Sequence, residues 1–171
     1  MGARFVASPN LDERPAGMPP EVLVIHNISL PPGEFNGDAI ERLFCNTLDF
    51  QAHPFYLTID GLRVSAHLLI RRGGEVIQFV PFHQRAWHAG VSKYDGRERV
   101  NDFSIGIELE GTDEVPYDDR QYLALTRVTH ALMQAYPGIT RDRIVGHADI
   151  APGRKTDPGP FFDWPRYRAS I

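Results

Sequence analysis

Ser104-Ile105-Gly106-Ile107-Glu108-Leu109-Glu110 is the stretch that decides the fold of this 171-residue chain. Apolar residues alternate with small or acidic ones along it, which is the period of a β-strand with one buried face. The three apolar side chains face one side, while Glu108 and Glu110 share the other. The stretch therefore predicts a strand that packs on a core and presents two carboxylates on its opposite face.

Further strands and helices are predicted on both sides of this stretch. Short apolar runs at 22–25 and 64–70 indicate strands, and 76–80 indicates the return arm of a hairpin. Residues 144–147 form a further short apolar segment. Helical spacing predicts a helix that begins at Asp38, and Asp118 with Gln121 resembles a capping box for the longest helix. The tail around Trp164 is expected to be helical. Because strands and helices are mixed, we predict an α/β (mixed α+β) fold with a central mixed sheet flanked by helices.

The length and the distribution of prolines indicate one domain with an N-terminal extension. A chain of 171 residues suits a single hydrophobic core. Residues 1–21 contain four prolines and are expected to form an irregular arm packed on the domain, which would comprise residues 22–171. Residues 81–103 show no clear period, and irregular segments of that length in compact domains are often functional.

Composition excludes several classes of function. The formal net charge is −4 and the sequence pI about 5.9, so there is no basic footprint for nucleic acid or an anionic membrane. The single cysteine, Cys45, cannot form an internal disulfide and most simply packs as a small hydrophobe. Charges and prolines interrupt the N-terminal region where a secretory signal needs an apolar run. We therefore expect a cytoplasmic protein, monomeric by default, without a membrane anchor.

The residues most capable of chemistry lie in the loop 146–159. This loop holds a histidine, two aspartates, an arginine and a lysine in a stretch punctuated by glycine and proline. His147 and Asp157 could supply a nitrogen and an oxygen ligand to a metal, and His26, at the end of a predicted strand, could supply the third. Three protein ligands leave one position open for water, which is the arrangement of catalytic zinc.

Each of these residues also has a simpler interpretation. A histidine at a strand end is usually exposed or hydrogen-bonded, and spacing alone does not choose between Glu108 and Glu110. Lys155 could be a surface cation, and Asp149 could be either a further carboxylate near the metal or a cap for the loop. His67 is more plausibly a core histidine or one that orients a ligand than a ligand itself. The remaining side chains are expected to be structural or exposed: His53, His83, His88, His130, a core Trp87, and the Arg71-Arg72 turn.

The sequence resembles a known family over nearly its whole length. The matching segments are 8–10, 24–32, 64–67, 86–90, 101–112 and the loop 146–159. The last two are the most specific. On these motifs the chain resembles the zinc-dependent N-acetylmuramoyl-L-alanine amidases, and within them those that act on 1,6-anhydro-muropeptides in cell-wall recycling. The resemblance implies an N-acetylmuramoyl-L-alanine amidase-like fold and cleavage of the amide bond between muramic acid and L-alanine.

The resemblance also implies roles for individual residues. His26, His147 and Asp157 match the ligands of one Zn²⁺ per chain. Glu108 matches the group that handles the proton of the attacking water, and Lys155 the cation beside the metal. The positions that match the lining of the substrate groove, which would take a small anionic muropeptide, are Asn27, Arg63, Trp87, Arg99 and Ala151.

Two other functions use the same residues. A peptidoglycan-binding module can share this fold, although such modules often lack a zinc ligand, whereas all three positions are filled here. A murein-lytic amidase would use the same active site on polymeric substrate. The apparent lack of a secretory signal and the single cysteine favour the recycling enzyme.

Overall fold

The computed structural model describes residues 2–171, and its centre is a six-stranded mixed sheet. The strands are β1 (Arg4–Phe5), β3 (Val22–Ile28), β4 (Leu68–Ile70), β5 (Val76–Gln78), β9 (Ser104–Glu110) and β10 (Ile144–Gly146). Their order is β1-β5-β4-β9-β3-β10, in which β4, β9, β3 and β10 are parallel and β4 and β5 form the antiparallel hairpin. The predicted central mixed sheet is confirmed.

Within residues 2–171, two smaller ribbons and five α-helices accompany this sheet. The ribbons pair β2 (Leu11–Glu13) with β6 (Gln84–Ala86), and β7 (Lys93–Tyr94) with β8 (Arg97–Glu98). The helices are α1 (Ala39–Phe44), α2 (Pro54–Leu57), α3 (Asp119–Ala135), α4 (His147–Ile150) and α5 (Trp164–Ser170). None of these helices, within residues 2–171, combines the length and apolarity that a membrane crossing needs.

The alternation along β9 separates a core face from a polar face, as predicted. Ile105, Ile107 and Leu109 are buried in the cluster that includes side chains of α3 and α5. Leu23 and Ile25 of β3 join the same cluster, so both central strands pack that face on the helices. The opposite face of these two strands carries His26 and Glu108, which line a common cavity.

Several local predictions differ from the structure in extent. The expected irregular arm contains β1 and β2, because its backbone pairs with β5 and β6. Only 68–70 of the predicted strand 64–70 is a strand, and three short strands lie within 81–103. Asp118 and Gln121 form the expected capping box. Asp38 occupies the N-cap of α1, but its carboxylate pairs with Arg42 instead of capping the backbone.

Candidate metal centre and active site

Three side chains from distant parts of the sequence meet at the carboxyl ends of adjacent parallel strands. His26 lies near the end of β3, and His147 follows β10, whose last residue, Gly146, is in register with Ile25. Asp157 comes from the loop after α4, where its carbonyl accepts a hydrogen bond from Ala148 N–H at 3.0 Å. The carboxyl ends of parallel strands are the usual location of binding sites in open α/β sheets.

The three ligand atoms form a nearly equilateral triangle. The Nδ1 atoms of His26 and His147 are 3.0 Å apart, and each is 3.1 Å from Oδ2 of Asp157. A tetrahedral zinc ion with bonds of about 2.0–2.1 Å separates its ligand atoms by roughly 3.3 Å. Two imidazole lone pairs so close also repel each other unless a proton or a cation lies between them. The donor set therefore fits one zinc ion, and these residues can hold it.

Burial and hydrogen bonds keep His26 and Asp157 in their metal-binding forms. Burial lowers the pKa of His26 to about 4, which keeps the imidazole neutral at pH 7. Burial by itself would raise the pKa of Asp157, but hydrogen bonds with His147 and His26 outweigh it and hold this pKa below its usual range. A neutral imidazole and an ionised carboxylate are the forms that bind metal.

Neighbouring groups fix the orientation of the ligands. His147 Nε2–H donates to the carbonyl of Ala89 at 3.1 Å, and His26 Nε2 is 2.9 Å from Nδ1 of His88. The backbone at Gly146 must lack a side chain, since a Cβ there would lie 2.8 Å from Cδ of Pro158, the residue after Asp157. Glycine thus lets the two arms of the 146–159 loop close on each other.

Glu108 lies directly across from His26 in the β3–β9 register. Its Oε2 atom is sealed from solvent and has no hydrogen-bond partner among residues 2–171. Burial raises the pKa of Glu108 well above its ordinary value, the charge of Asp157 raises it further, and Lys155 opposes them. An unpaired buried carboxylate next to a metal triad is suited to accept a proton from a water molecule.

Glu110 is on the same face of β9 but belongs to a structural network. It accepts hydrogen bonds from Arg71 Nη1 at 3.3 Å, Asn36 N–H at 2.7 Å and Arg72 N–H at 3.0 Å. The structure therefore distinguishes the two glutamates that spacing leaves equivalent. It also corrects the prediction for Arg71, which is buried instead of solvated because the enclosed Glu110 and Glu41 require a counter-charge.

A cavity of about 280 Å³ opens onto the triad. It is lined by the three ligands, Glu108, Lys155, Asn27 and apolar side chains of residues 28–64. Trp87 is half-buried and also lines this cavity, so it is a wall residue and not the core aromatic that the simpler interpretation expects. Lys155 is exposed, with its backbone anchored to the Ala151 carbonyl at 3.1 Å.

The other predicted groove residues are divided between two places. Arg99 and Ala151 line a separate groove of about 560 Å³, together with Lys93 and Arg154. Arg63 is exposed and lies between two residues of the triad cavity, Leu62 and Val64, without lining it. Arg154 was not predicted as a site residue, although its place beside Lys155 in the reactive loop is a signal that could have identified it.

The structure also distinguishes between the two interpretations of His67 and of Asp149. His67 Nδ1 accepts from Gly106 N–H at 3.0 Å and its Nε2 is 3.1 Å from the Gln84 carbonyl, so its ring nitrogens are occupied in the core. Asp149 Oδ2 accepts from Gly146 N–H at 2.7 Å and caps the loop. The structure thus supports the structural interpretation of both. His88, expected to be structural or exposed, is buried against His26.

A sequence model of the family described as N-acetylmuramoyl-L-alanine amidase matches residues 16–160. This chain belongs to that family, and it is therefore a hydrolase of amide bonds. The predicted resemblance, fold class and enzyme class are confirmed.

Comparison with individual proteins shows how similar the chain is to particular members of the family. The chain is 62% identical over 171 residues to the 1,6-anhydro-N-acetylmuramyl-L-alanine amidase AmpD of Escherichia coli K12, covering 100% of this chain and 93% of the relative. A crystal structure of an AmpD derivative superposes with a TM-score of 0.96 at 61% identity, covering 99% and 94% of the two chains. The amidase AmiD of E. coli, in complex with anhydro-N-acetylmuramic acid-L-Ala-D-γ-Glu-L-Lys, gives a TM-score of 0.65 at 30% identity, covering 94% and 65%.

Proposed function

We propose that this protein is a zinc-dependent amidase that cleaves the bond between 1,6-anhydro-N-acetylmuramic acid and L-alanine in muropeptides of peptidoglycan recycling. The observation that carries the proposal is the triangle of His26, His147 and Asp157 facing the unpaired Glu108. The 62% identity to an enzyme named for the anhydro substrate supports the choice of sugar. A cytoplasmic location and a monomeric state are part of the proposal.

The side chains divide the chemistry among them. Bound zinc would polarise the scissile carbonyl and lower the pKa of a water molecule. Glu108 takes the proton of the attacking water on its buried carboxylate and then delivers it to the leaving nitrogen of L-alanine. Lys155, at the mouth of the same cavity, places a fixed positive charge where the carbonyl oxygen becomes negative.

The cavity and the neighbouring groove suit the two halves of a muropeptide. Trp87 and the apolar wall of the triad cavity offer a surface for the anhydro sugar. Lys93, Arg99 and Arg154 give the larger groove positive charge, which can pair with the carboxylates of the stem peptide. Asn27, held by a 2.7 Å hydrogen bond to Oδ1 of Asp113, lines both the triad cavity and a second groove that contains Lys155.

Incubation of the zinc-loaded protein with anhydromuramyl-tripeptide, followed by mass spectrometry, tests the proposal. We expect free tripeptide and anhydromuramic acid, loss of both with a chelator, and recovery on addition of zinc. Cleavage of polymeric murein in preference to the soluble substrate would indicate a lytic amidase. Zinc binding without cleavage of either substrate would indicate a peptidoglycan-binding module.

A further inference from the structure

His88 is a buried histidine outside the proposed ligand triad that contacts one of its members. We infer that His88 is a positioning residue: its imidazole accepts a hydrogen bond from Nε2–H of His26 and so fixes Nδ1 of His26 toward His147 and Asp157. The inference rests on the proposed zinc function of those three residues. It adds a determinant of metal affinity that lies in a different segment of the chain from all three ligands.

The contacts of the two imidazoles define the direction of the hydrogen bond. When Nδ1 of His26 binds the proposed zinc ion, the proton of the ring resides on Nε2, which is 2.9 Å from Nδ1 of His88. The two rings meet edge to face, with centroids 5.0 Å apart and an interplanar angle of 83°. Nδ1 of His88 must therefore be the acceptor. Its Nε2–H then donates to Oγ of Ser104 at 3.1 Å, which occupies both ring nitrogens.

The backbone of β9 leaves room for the imidazole ring of His88. Gly106 of β9 faces the imidazole, and a Cβ at that position would overlap the ring, with Nδ1 of His88 only 2.6 Å away. The glycine in the middle of an otherwise regular strand is therefore explained by His88.

The chain segment that contains His88 also contacts His147, the second proposed imidazole ligand. The carbonyl of Ala89, the next residue, accepts from Nε2–H of His147 at 3.1 Å. Oδ1 of Asn101 accepts from the N–H groups of both His88 and Ala89, at 3.1 and 2.8 Å. One side chain thus anchors the two consecutive residues that orient the two ligands. Groups that orient metal ligands in this way typically contribute about 10–100-fold to metal affinity.

The decisive variants are His88→Leu and His88→Asn, measured for zinc affinity by competition with a chromophoric chelator. Leucine and asparagine have the same branched shape, but only asparagine offers an acceptor close to the position of Nδ1. We expect His88→Leu to weaken zinc binding about 10–100-fold and His88→Asn to restore it to within about threefold of wild type. His67→Asn is the matched control, since it also replaces a buried imidazole whose nitrogens bond to Gly106 N–H and the Gln84 carbonyl.

Equal zinc affinity in His88→Leu and wild type, or equal loss in both His88 variants, would overturn the inference. Nitrogen-15 NMR of the zinc-loaded wild-type chain provides a test that needs no variant to fold. We expect His88 protonated at Nε2 and His26 protonated at Nε2; a proton on Nδ1 of His88 would overturn the inference. A wild-type chain that binds no zinc would instead refute the proposed function, and this inference with it.

Discussion

Glu110 accepts a hydrogen bond from Arg71, whereas Glu108, two residues earlier on the same face of β9, leaves Oε2 buried without a partner among residues 2–171. Because the unpaired carboxylate is the one beside the triad, Glu108→Gln is expected to retain zinc and to lose at least about 100-fold in kcat. Steady-state kinetics together with metal analysis checks this expectation. A near-normal kcat would assign the proton transfer to another group.

Glu110→Gln is the matched control on the same strand. It removes the charge that faces the buried Arg71 and is expected to lower the free energy of unfolding by about 1–3 kcal/mol, measured by urea denaturation. Turnover of the folded protein should stay within a few fold of wild type. A loss of turnover equal to that of Glu108→Gln would show that the two carboxylates act together.

Asp157 is expected to be required for metal binding. Asp157→Ala removes one of three converging ligand atoms, so the purified variant should lose both zinc and activity. Asp149→Ala is the control from the same loop. Its carboxylate caps Gly146 N–H, so we expect full zinc content and a loss of about 1 kcal/mol in stability. Full zinc occupancy in Asp157→Ala would exclude that residue from the metal site.

Lys155 lies at the cavity mouth, where its charge would act on the transition state. Lys155→Ala is therefore expected to keep zinc and to lower kcat by a larger factor than it raises KM, because the substrate carbonyl is neutral before attack. The two constants are read from one set of initial rates. A raised KM with unchanged kcat would make Lys155 a residue of substrate binding.

Arg99 is expected to act in binding only. It lines the groove next to the triad and not the triad cavity itself, so Arg99→Ala should raise KM for anhydromuramyl-tripeptide roughly tenfold with little change in kcat. Arg97→Ala is the control, since Arg97 does not line this groove. Both guanidinium groups are ion-paired, that of Arg97 with Glu21 and that of Arg99 with Asp102. Equal effects of the two substitutions on KM would remove the special role of Arg99.

The pairing of β2 with the domain should respond to acid. The hydrogen bond with Arg85 lowers the pKa of Asp12, so this contribution to stability is present above the ordinary Asp pKa and disappears as pH falls through the lowered native value. At neutral pH, Asp12→Asn should cost about 0.5–1 kcal/mol, because the pair is partly exposed. Urea denaturation at several pH values should show the difference from wild type shrinking as pH falls below the ordinary Asp pKa and vanishing once pH is below the lowered native pKa of Asp12. A difference independent of pH would exclude the ion pair as its cause.

The sequence predicts which helices and strands form better than it predicts the residues at which they end or the strands with which they pair. Strict alternation identifies β9, and the capping box identifies the start of α3, because both signals are local. The pairing of the N-terminal arm with β5 and β6 is decided by tertiary contacts, which composition does not encode. Burial of Arg71 likewise depends on two carboxylates that are distant in the chain.

The proposed ligands follow from residue chemistry and family motifs, whereas the groups that orient them do not. His88 has no metal-like spacing in the sequence, and its importance emerges only when β9 and the 86–90 segment pack together. Glu108 and Glu110 are equivalent by period; the family resemblance selects Glu108, and the structure shows that Glu110 is already hydrogen-bonded to residues such as Arg71. Arg154 is not singled out by its residue type, and only its place beside Lys155 in the 146–159 loop points to the groove that it lines.

The ligand triangle joins nitrogen atoms of residues that are 121 positions apart in the chain. An unfolded chain keeps His26 and His147 far from each other, so the proposed zinc ion can be bound tightly only after β3 and β10 lie side by side. Binding energy is therefore also folding energy. The melting temperature of this protein should rise with free zinc concentration, which makes metal supply in the cell a determinant of how much folded enzyme survives.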